Sequence, residues 1–221
     1  MKWKSLTAVV FALALSVIRA AHGADVGVTE GWQEIPFKYD IQHPYDLKTS
    51  DRYEFDATNN IHHFWVYFTD KPHAPPPNKT NPRTEMKLDN FSTGERMFDG
   101  DVNVTPGTFA CIGQVLDAAH GPVVMVTAHP DGQVTVAVHD LPKVNDLILT
   151  NGIGRWWNLK ITNDTKDGGK IKVYVDNILA GTYPSRGLRE YYFKCGVYSR
   201  TDSTLSDVRY RNLKEWVNPQ P

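Results

Sequence analysis

The chain has 221 residues, with 24 Lys and Arg against 25 Asp and Glu and 11 % aromatic side chains. A net charge of −1 argues against sequence-independent nucleic-acid binding, which draws on a basic excess. The length fits one all-β domain of roughly 200 residues behind a leader.

Residues 1–4 (Met-Lys-Trp-Lys) are basic, and 6–18 form an apolar run too short to span a bilayer. Ala21-His22-Gly23 then supplies small residues at a cleavage point, so residues 1–23 read as a signal peptide cut after Gly23. The expected product is a secreted, extracellular protein with one domain over 24–221. No later segment is long and apolar enough for a membrane helix. Asn78, Asn90, Asn103 and Asn163 each head an Asn-x-Ser/Thr triplet and are candidate glycosylation positions behind such a leader.

Short β-prone pieces follow at 32–38, 51–55 and 61–69. Residues 70–82 are Pro-rich and form a loop. Strands are expected at 83–88, 96–102, 108–117, 123–128 and 133–139, the last two joined by the turn His129-Pro130-Asp131-Gly132. Further strands are expected at 155–162, 170–175, 191–200 and 206–216. Helical periodicity is nearly absent. Many short strands at regular spacing predict an all-β fold, a β-sandwich or jelly roll whose curved sheet offers a groove.

Three strands carry chemistry. Residues 191–200 read Tyr-Tyr-Phe-Lys-Cys-Gly-Val-Tyr-Ser-Arg. With period two, Tyr192, Lys194 and Tyr198 share one face, and Phe193, Cys195 and Val197 share the other. Gly196 breaks the polar face where an absent side chain would admit a ligand. Two phenols and an ammonium suit an anionic sugar chain; the plain alternative is an ordinary half-buried strand. On 83–87, Arg83, Glu85 and Lys87 share a face, either as a solvated edge or as a groove wall. In the second case Arg83 forks onto a carboxylate and Glu85 holds Arg83. Gln114 stands in an otherwise apolar strand. It is either a satisfied structural amide or a donor aimed into the groove. Cys111 and Cys195 are each offset by an odd number from Gln114 and Tyr198, which places both on the core side. They are a possible disulfide or two buried free thiols.

Arg-Thr-Glu-Met-Lys, Ile-Gly-Gln-Val-Leu and Tyr-Phe-Lys-Cys-Gly-Val-Tyr together resemble the three motif strands of the alginate lyases of polysaccharide lyase family seven. The order and spacing match over roughly residues 30–217. The resemblance implies a β-jelly roll whose groove binds an anionic polysaccharide and cleaves it by β-elimination, as a monomer and with no cofactor. Lys87, Cys195 and Arg200 depart from the family's usual Arg, Ala, and Gln or Asn. Leu116 replaces the His that often serves as base. The glucuronan lyases of family twenty share the jelly roll and take their His from elsewhere.

Elimination removes the C5 proton of a uronate and expels the C4 oxygen. The carboxylate beside C5 must first be neutralised. Arg83 and Gln114 suit that task, and Tyr198 suits proton delivery. Glu85, Lys87, Tyr192 and Lys194 complete the expected substrate-binding set. In β-glucuronate and β-mannuronate the proton and the leaving oxygen lie on one side, so Tyr198 can serve as acid and base in turn. Among the histidines, His73 in the Pro-rich loop is the first candidate base, ahead of His62, His63 and His120. Asp164 and Asp167 beside two glycines admit a structural calcium, though a plain turn explains them better. The sequence therefore reads as a secreted lyase of glucuronan or polymannuronate, alongside a non-catalytic carbohydrate-binding jelly roll. A glycoside hydrolase would need two flanking acids that no strand offers.

Overall fold

The computed structural model describes residues 27–200 and 204–219; the leader expected at 1–23 lies outside them. Two antiparallel sheets pack face to face. The first runs β13 (Ile178–Pro184), β12 (Lys170–Val175), β11 (Trp156–Asp164), β6 (Glu95–Val104), β15 (Leu205–Asn218), β4 (Ile61–Tyr67), β3 (Tyr53–Asp56), with β1 (Gln33–Ile35) also on β15. The second runs β10 (Leu141–Leu149), β9 (Val134–Val138), β8 (Gly121–Ala128), β7 (Ala110–Asp117), β14 (Tyr191–Ser199), β5 (Arg83–Leu88), β2 (Tyr39–Gln42). Apart from one 3-10 turn at Thr49–Asp51, the described residues form no helix. This is the expected jelly-roll sandwich.

Alternation in the sequence builds the core. Phe64 and Val66 of β4, Phe98 and Val102 of β6, and Leu159 and Ile161 of β11 are fully buried from the first sheet. Met86 of β5, Val124 and Val126 of β8, and Phe193 and Val197 of β14 meet them from the second. Each such side chain contributes about 1.5–3 kcal/mol on burial. A Cβ at Gly113 would come 3.1 Å from Leu159 and 3.3 Å from Ile161, so the two sheets pack tightly over this part of β7.

Three strands escape the sequence pattern. The strand expected at 32–38 keeps only β1, which stops before Pro36, a residue with no N–H for a ladder, and β2 lies beyond it at Tyr39–Gln42. β10 contains Pro142, is largely exposed and has two register shifts against β9, all marks of an edge. β13 carries Gly181 and exposed Ile178 and Leu179, so it lacks the apolar alternation that announces a strand.

Candidate active site

The register of the second sheet sets the outward-facing residues. On β5 and β14, Arg83 stands opposite Tyr198, Glu85 opposite Gly196, and Lys87 opposite Lys194. On β14 and β7, Lys194 stands opposite Gln114 and Tyr192 opposite Leu116. Gln42 of β2 stands opposite Glu85. Opposed residues of an antiparallel pair share a face. The structure thus brings together Arg83, Glu85, Lys87, Gln114, Tyr192, Lys194 and Tyr198, with Leu116 beside Tyr192.

Glu85 is the hub of this face. It is 1 % exposed, and Arg83, Gln114 and Lys194 around it are no more than 8 % exposed. Arg83 Nη1 donates to Glu85 Oε2 at 3.2 Å, and Lys194 Nζ donates to the same oxygen at 3.3 Å. Gln114 Nε2 donates to Glu85 Oε1. Lys194 also donates to Gln42 Oε1 at 2.5 Å. A buried carboxylate needs this number of donors, because burial alone would force it to hold a proton. Two cations, Arg83 and Lys194, against one carboxylate, Glu85, leave a surplus of one positive charge. Burial pulls the Lys194 ammonium below its usual range even with Glu85 beside it.

The geometry corrects the expectation for Gln114: its amide donates to Glu85 rather than pointing free into a groove. Gln42 joins the site unannounced, because β2 is only four residues long and mostly exposed. The arginine guanidinium lies 4.1 Å from the centre of the Tyr198 ring, and Lys87 Nζ lies 4.6 Å from that of Tyr192. Burial, with Glu85 nearby, raises the Tyr192 phenol above its usual range.

The Pro-rich segment 70–82 is tied down beside this face. Tyr45 N donates to Pro72 O at 2.9 Å, Asn81 Nδ2 to Ser199 O at 3.0 Å, and Ser199 N to Pro82 O at 3.0 Å. His73 is thereby held where Arg83, Lys194 and Glu85 all act on it. Burial first, then the two cations, depress its pKa, so the ring is neutral at neutral pH. Three buried polar atoms on this side have no hydrogen-bond partner: Arg83 Nε, His73 Nδ1 and Thr127 Oγ1. Thr127 of β8 stands opposite Cys111.

Other expectations resolve differently. Cys195 is in the core, opposite Met86. Cys111 is not on the core side: both ladders of β7 shift register between Cys111 and Gly113, and Cys111 stands opposite Tyr198. A β-bulge adds a residue to one strand and reverses the parity beyond it. The two sulfurs lie on opposite faces of one sheet, so both are buried free thiols and not a disulfide. Burial, with Glu85 nearby, pushes the Cys111 thiol up to about 12.

Gly196 does not make room for a ligand. Its φ is +124°, and a Cβ there would sit 2.5 Å from Thr84 O and 2.9 Å from Glu85 Cα. The missing side chain lets β14 approach β5. His62 is buried between the sheets against Tyr53 (2.8 Å), and burial lowers its pKa to about 4. His63 faces outward from the other sheet, bonded to Asp207 at 2.8 Å. His120 bonds Asp117 beyond the end of β7. None of the three joins the cluster.

Asn163 is fully buried and accepts from Ser185, so its triplet is closed to a glycan in the folded protein. Asn103 is half-buried on β6, Asn78 is half-buried in the Pro-rich segment, and Asn90 is exposed. Asp164 is engaged by Lys166 through its backbone N–H (3.1 Å) and its ammonium (2.7 Å), which makes the segment a turn rather than a calcium cradle.

The protein is thus a two-sheet jelly roll with a cationic, tyrosine-bearing outer face. The profile described as alginate lyase matches residues 36–215, and the chain belongs to that family. It is 32 % identical over 210 residues to a protein named citrate-binding protein from Hevea brasiliensis, covering 91 % of this chain and 84 % of that one. Among solved structures it resembles the family-seven alginate lyase AlgAT5 with a TM-score of 0.65, at 17 % identity, over 80 % of this chain and 93 % of that one. The alginate lyase from Corynebacterium sp. also superposes with a TM-score of 0.65, at 14 % identity, over 80 % and 92 %. Alginate lyase AlyC3 in complex with dimannuronate gives 0.58 at 13 % identity, over 76 % and 79 %. At such identities these structures speak to the fold.

Proposed function

We propose that this protein is a secreted lyase that cleaves chains of β-1,4-linked glucuronate or mannuronate by β-elimination. The observation that carries this reading is the Arg83–Tyr198 pair, with the unpartnered Arg83 Nε and His73 Nδ1 in the same cluster. Buried polar atoms ordinarily have partners, so a group of unanswered ones beside half-open phenols suits a ligand that brings its own oxygens.

In this mechanism the surplus positive charge of Arg83 and Lys194 offsets the substrate carboxylate and the enolate-like charge that grows on it. Gln114 fixes Glu85, and Glu85 fixes Arg83 and Lys194, so the cations need not reorganise during reaction. Tyr198 takes the C5 proton and returns it to the C4 oxygen, which is possible where both lie on one side of the ring. C5–H and C4–O break, the C4–C5 double bond forms, and the proton leaves with the new chain end. Leu116 offers no second proton carrier. Neutral His73 hydrogen-bonds the sugar at the rim.

A second reading has Leu116 and the relative named for citrate binding behind it. The same cationic face would then hold a small polycarboxylate without cleaving anything. Polyglucuronate, polymannuronate and polyguluronate separate the two readings. The first two should gain the ultraviolet absorbance of unsaturated uronate ends, and polyguluronate should not. If no polymer yields product while citrate raises the melting temperature, the lyase reading fails. His73→Ala should cost less turnover than Tyr198→Phe; an equal loss would make His73 the base.

A further inference from the structure

We propose that Arg200 determines specificity by taking the carboxylate of a second uronate, next to the sugar that reacts. This rests on the lyase reading above and extends it to the neighbouring binding position.

The ladder between β14 and β7 continues one residue past its last paired position. Ser199 stands opposite Ala110, and Arg200 N then donates to Phe109 O at 3.0 Å. Alternation follows: Tyr198 faces outward, Ser199 is fully buried toward the core, and Arg200 faces outward again, half-buried. A second observation agrees. Arg200 and Arg83 both act on the Cys111 thiol, which stands opposite Tyr198. The phenol therefore has a guanidinium on β5 beside it and another at the end of its own strand.

These cations differ in what they already hold. Arg83 is bonded to Glu85 and lies against the Tyr198 ring. Lys194 is bonded to Glu85 and Gln42. Lys87 lies over Tyr192. The Arg200 guanidinium has no hydrogen bond, ion pair or ring contact among the described residues, so its forked donors are free for a carboxylate. Tyr198 and Arg200 are two residues apart on an extended strand, about 6.6 Å, a separation on the scale of one sugar ring. A polymer with its reacting carboxylate on the Arg83 side of Tyr198 would bring the next carboxylate toward Arg200. The site would then select a uronate, rather than a neutral sugar, on both sides of the scissile bond.

The test uses the full chain carrying Tyr198→Phe, which binds without turning over. Calorimetry compares a glucuronate tetrasaccharide with its carboxyl-reduced counterpart, with and without Arg200→Gln. Arg200→Gln should weaken the charged tetrasaccharide about 10- to 100-fold and leave the reduced one unchanged, while Arg200→Lys restores part of the loss. The salt dependence of binding should also flatten in Arg200→Gln. Charged-tetrasaccharide binding that is indifferent to Arg200→Gln overturns this assignment alone. Absence of binding by any polyuronate overturns the lyase reading and this assignment with it.

Discussion

Both sheets bury charge on their outward faces, and they treat it differently. On the first sheet, Lys160 of β11 lies 3.1 Å from Asp99 of β6 and donates to Asn158 at 2.6 Å. Asn158 and Trp216 Nε1 donate in turn to Asp99, at 2.9 and 3.2 Å. Every charged group in that cluster is answered within it. On the second sheet, Glu85 is saturated, but Arg83 Nε and His73 Nδ1 are not. A closed network of charge is architecture, whereas an open one next to half-exposed tyrosines is a place for something to bind. Lack of a partner is not sufficient by itself. Arg96 Nε and Asn163 Nδ2 are also unpartnered, yet they belong to paired residues of β6 and β11 on the first sheet, away from the Tyr198 face, and Arg96 already donates to Glu215.

The contrast breaks most plainly at Tyr198. Tyr198→Phe should lower turnover on polyglucuronate by about 10³–10⁴-fold, worth about 4–5 kcal/mol, with thermal stability unchanged. An active Tyr198→Phe would remove the phenol from the mechanism. Asp99→Ala should do the opposite. It strands the buried Lys160 ammonium and should cost about 3–5 kcal/mol of stability, with kcat on folded protein intact. A denaturant melt and a rate measured well below the midpoint check both halves.

The smallest effect belongs to the region between the sheets. Glu215 is buried there, and burial raises its pKa from 4.5 to about 7, against the opposing pull of Arg96 at 3.4 Å; Asp89 adds to the rise. The folded state thus holds this proton more tightly than the unfolded chain. Stability from this group is complete below about pH 4.5 and declines as pH rises through 7. Glu215→Gln should match the wild type at pH 4 and exceed it at pH 8 by about 1–3 kcal/mol. Parallel melts whose difference does not change with pH would show that Arg96 fully compensates the charge.

Most of the architecture was legible because alternation with period two is a backbone property. Turn residues at 129–132 and 163–169 marked the hairpins, and the motif strands around Arg83, Gln114 and Tyr198 fell on one face as expected. The misses have one physical origin. A bulge changes which face a residue takes without leaving a mark in composition, so Cys111 read as core and lies instead beneath Tyr198. Gly196 read as a gap for ligand because a sequence cannot tell which neighbour fills the space of a missing Cβ; here it is the backbone of β5. Gln42 was hidden in a strand too short and too exposed to show a pattern. The readiness of Gln114 to serve the protein rather than the substrate depends on the distance to Glu85, which spacing along the chain does not contain.

The placement of the two sulfurs bears on where this chain can be made. With one thiol on each side of a single sheet, no covalent cross-link holds the sandwich, and its integrity owes nothing to an oxidising lumen. The same fold is open to the chain in a reducing cytosol. Burial pushes both thiols above their usual range, so little of the reactive thiolate forms on either at neutral pH. Mild oxidants and thiol reagents therefore have no easy handle on it, and production of the protein need not be confined to hosts that form disulfides.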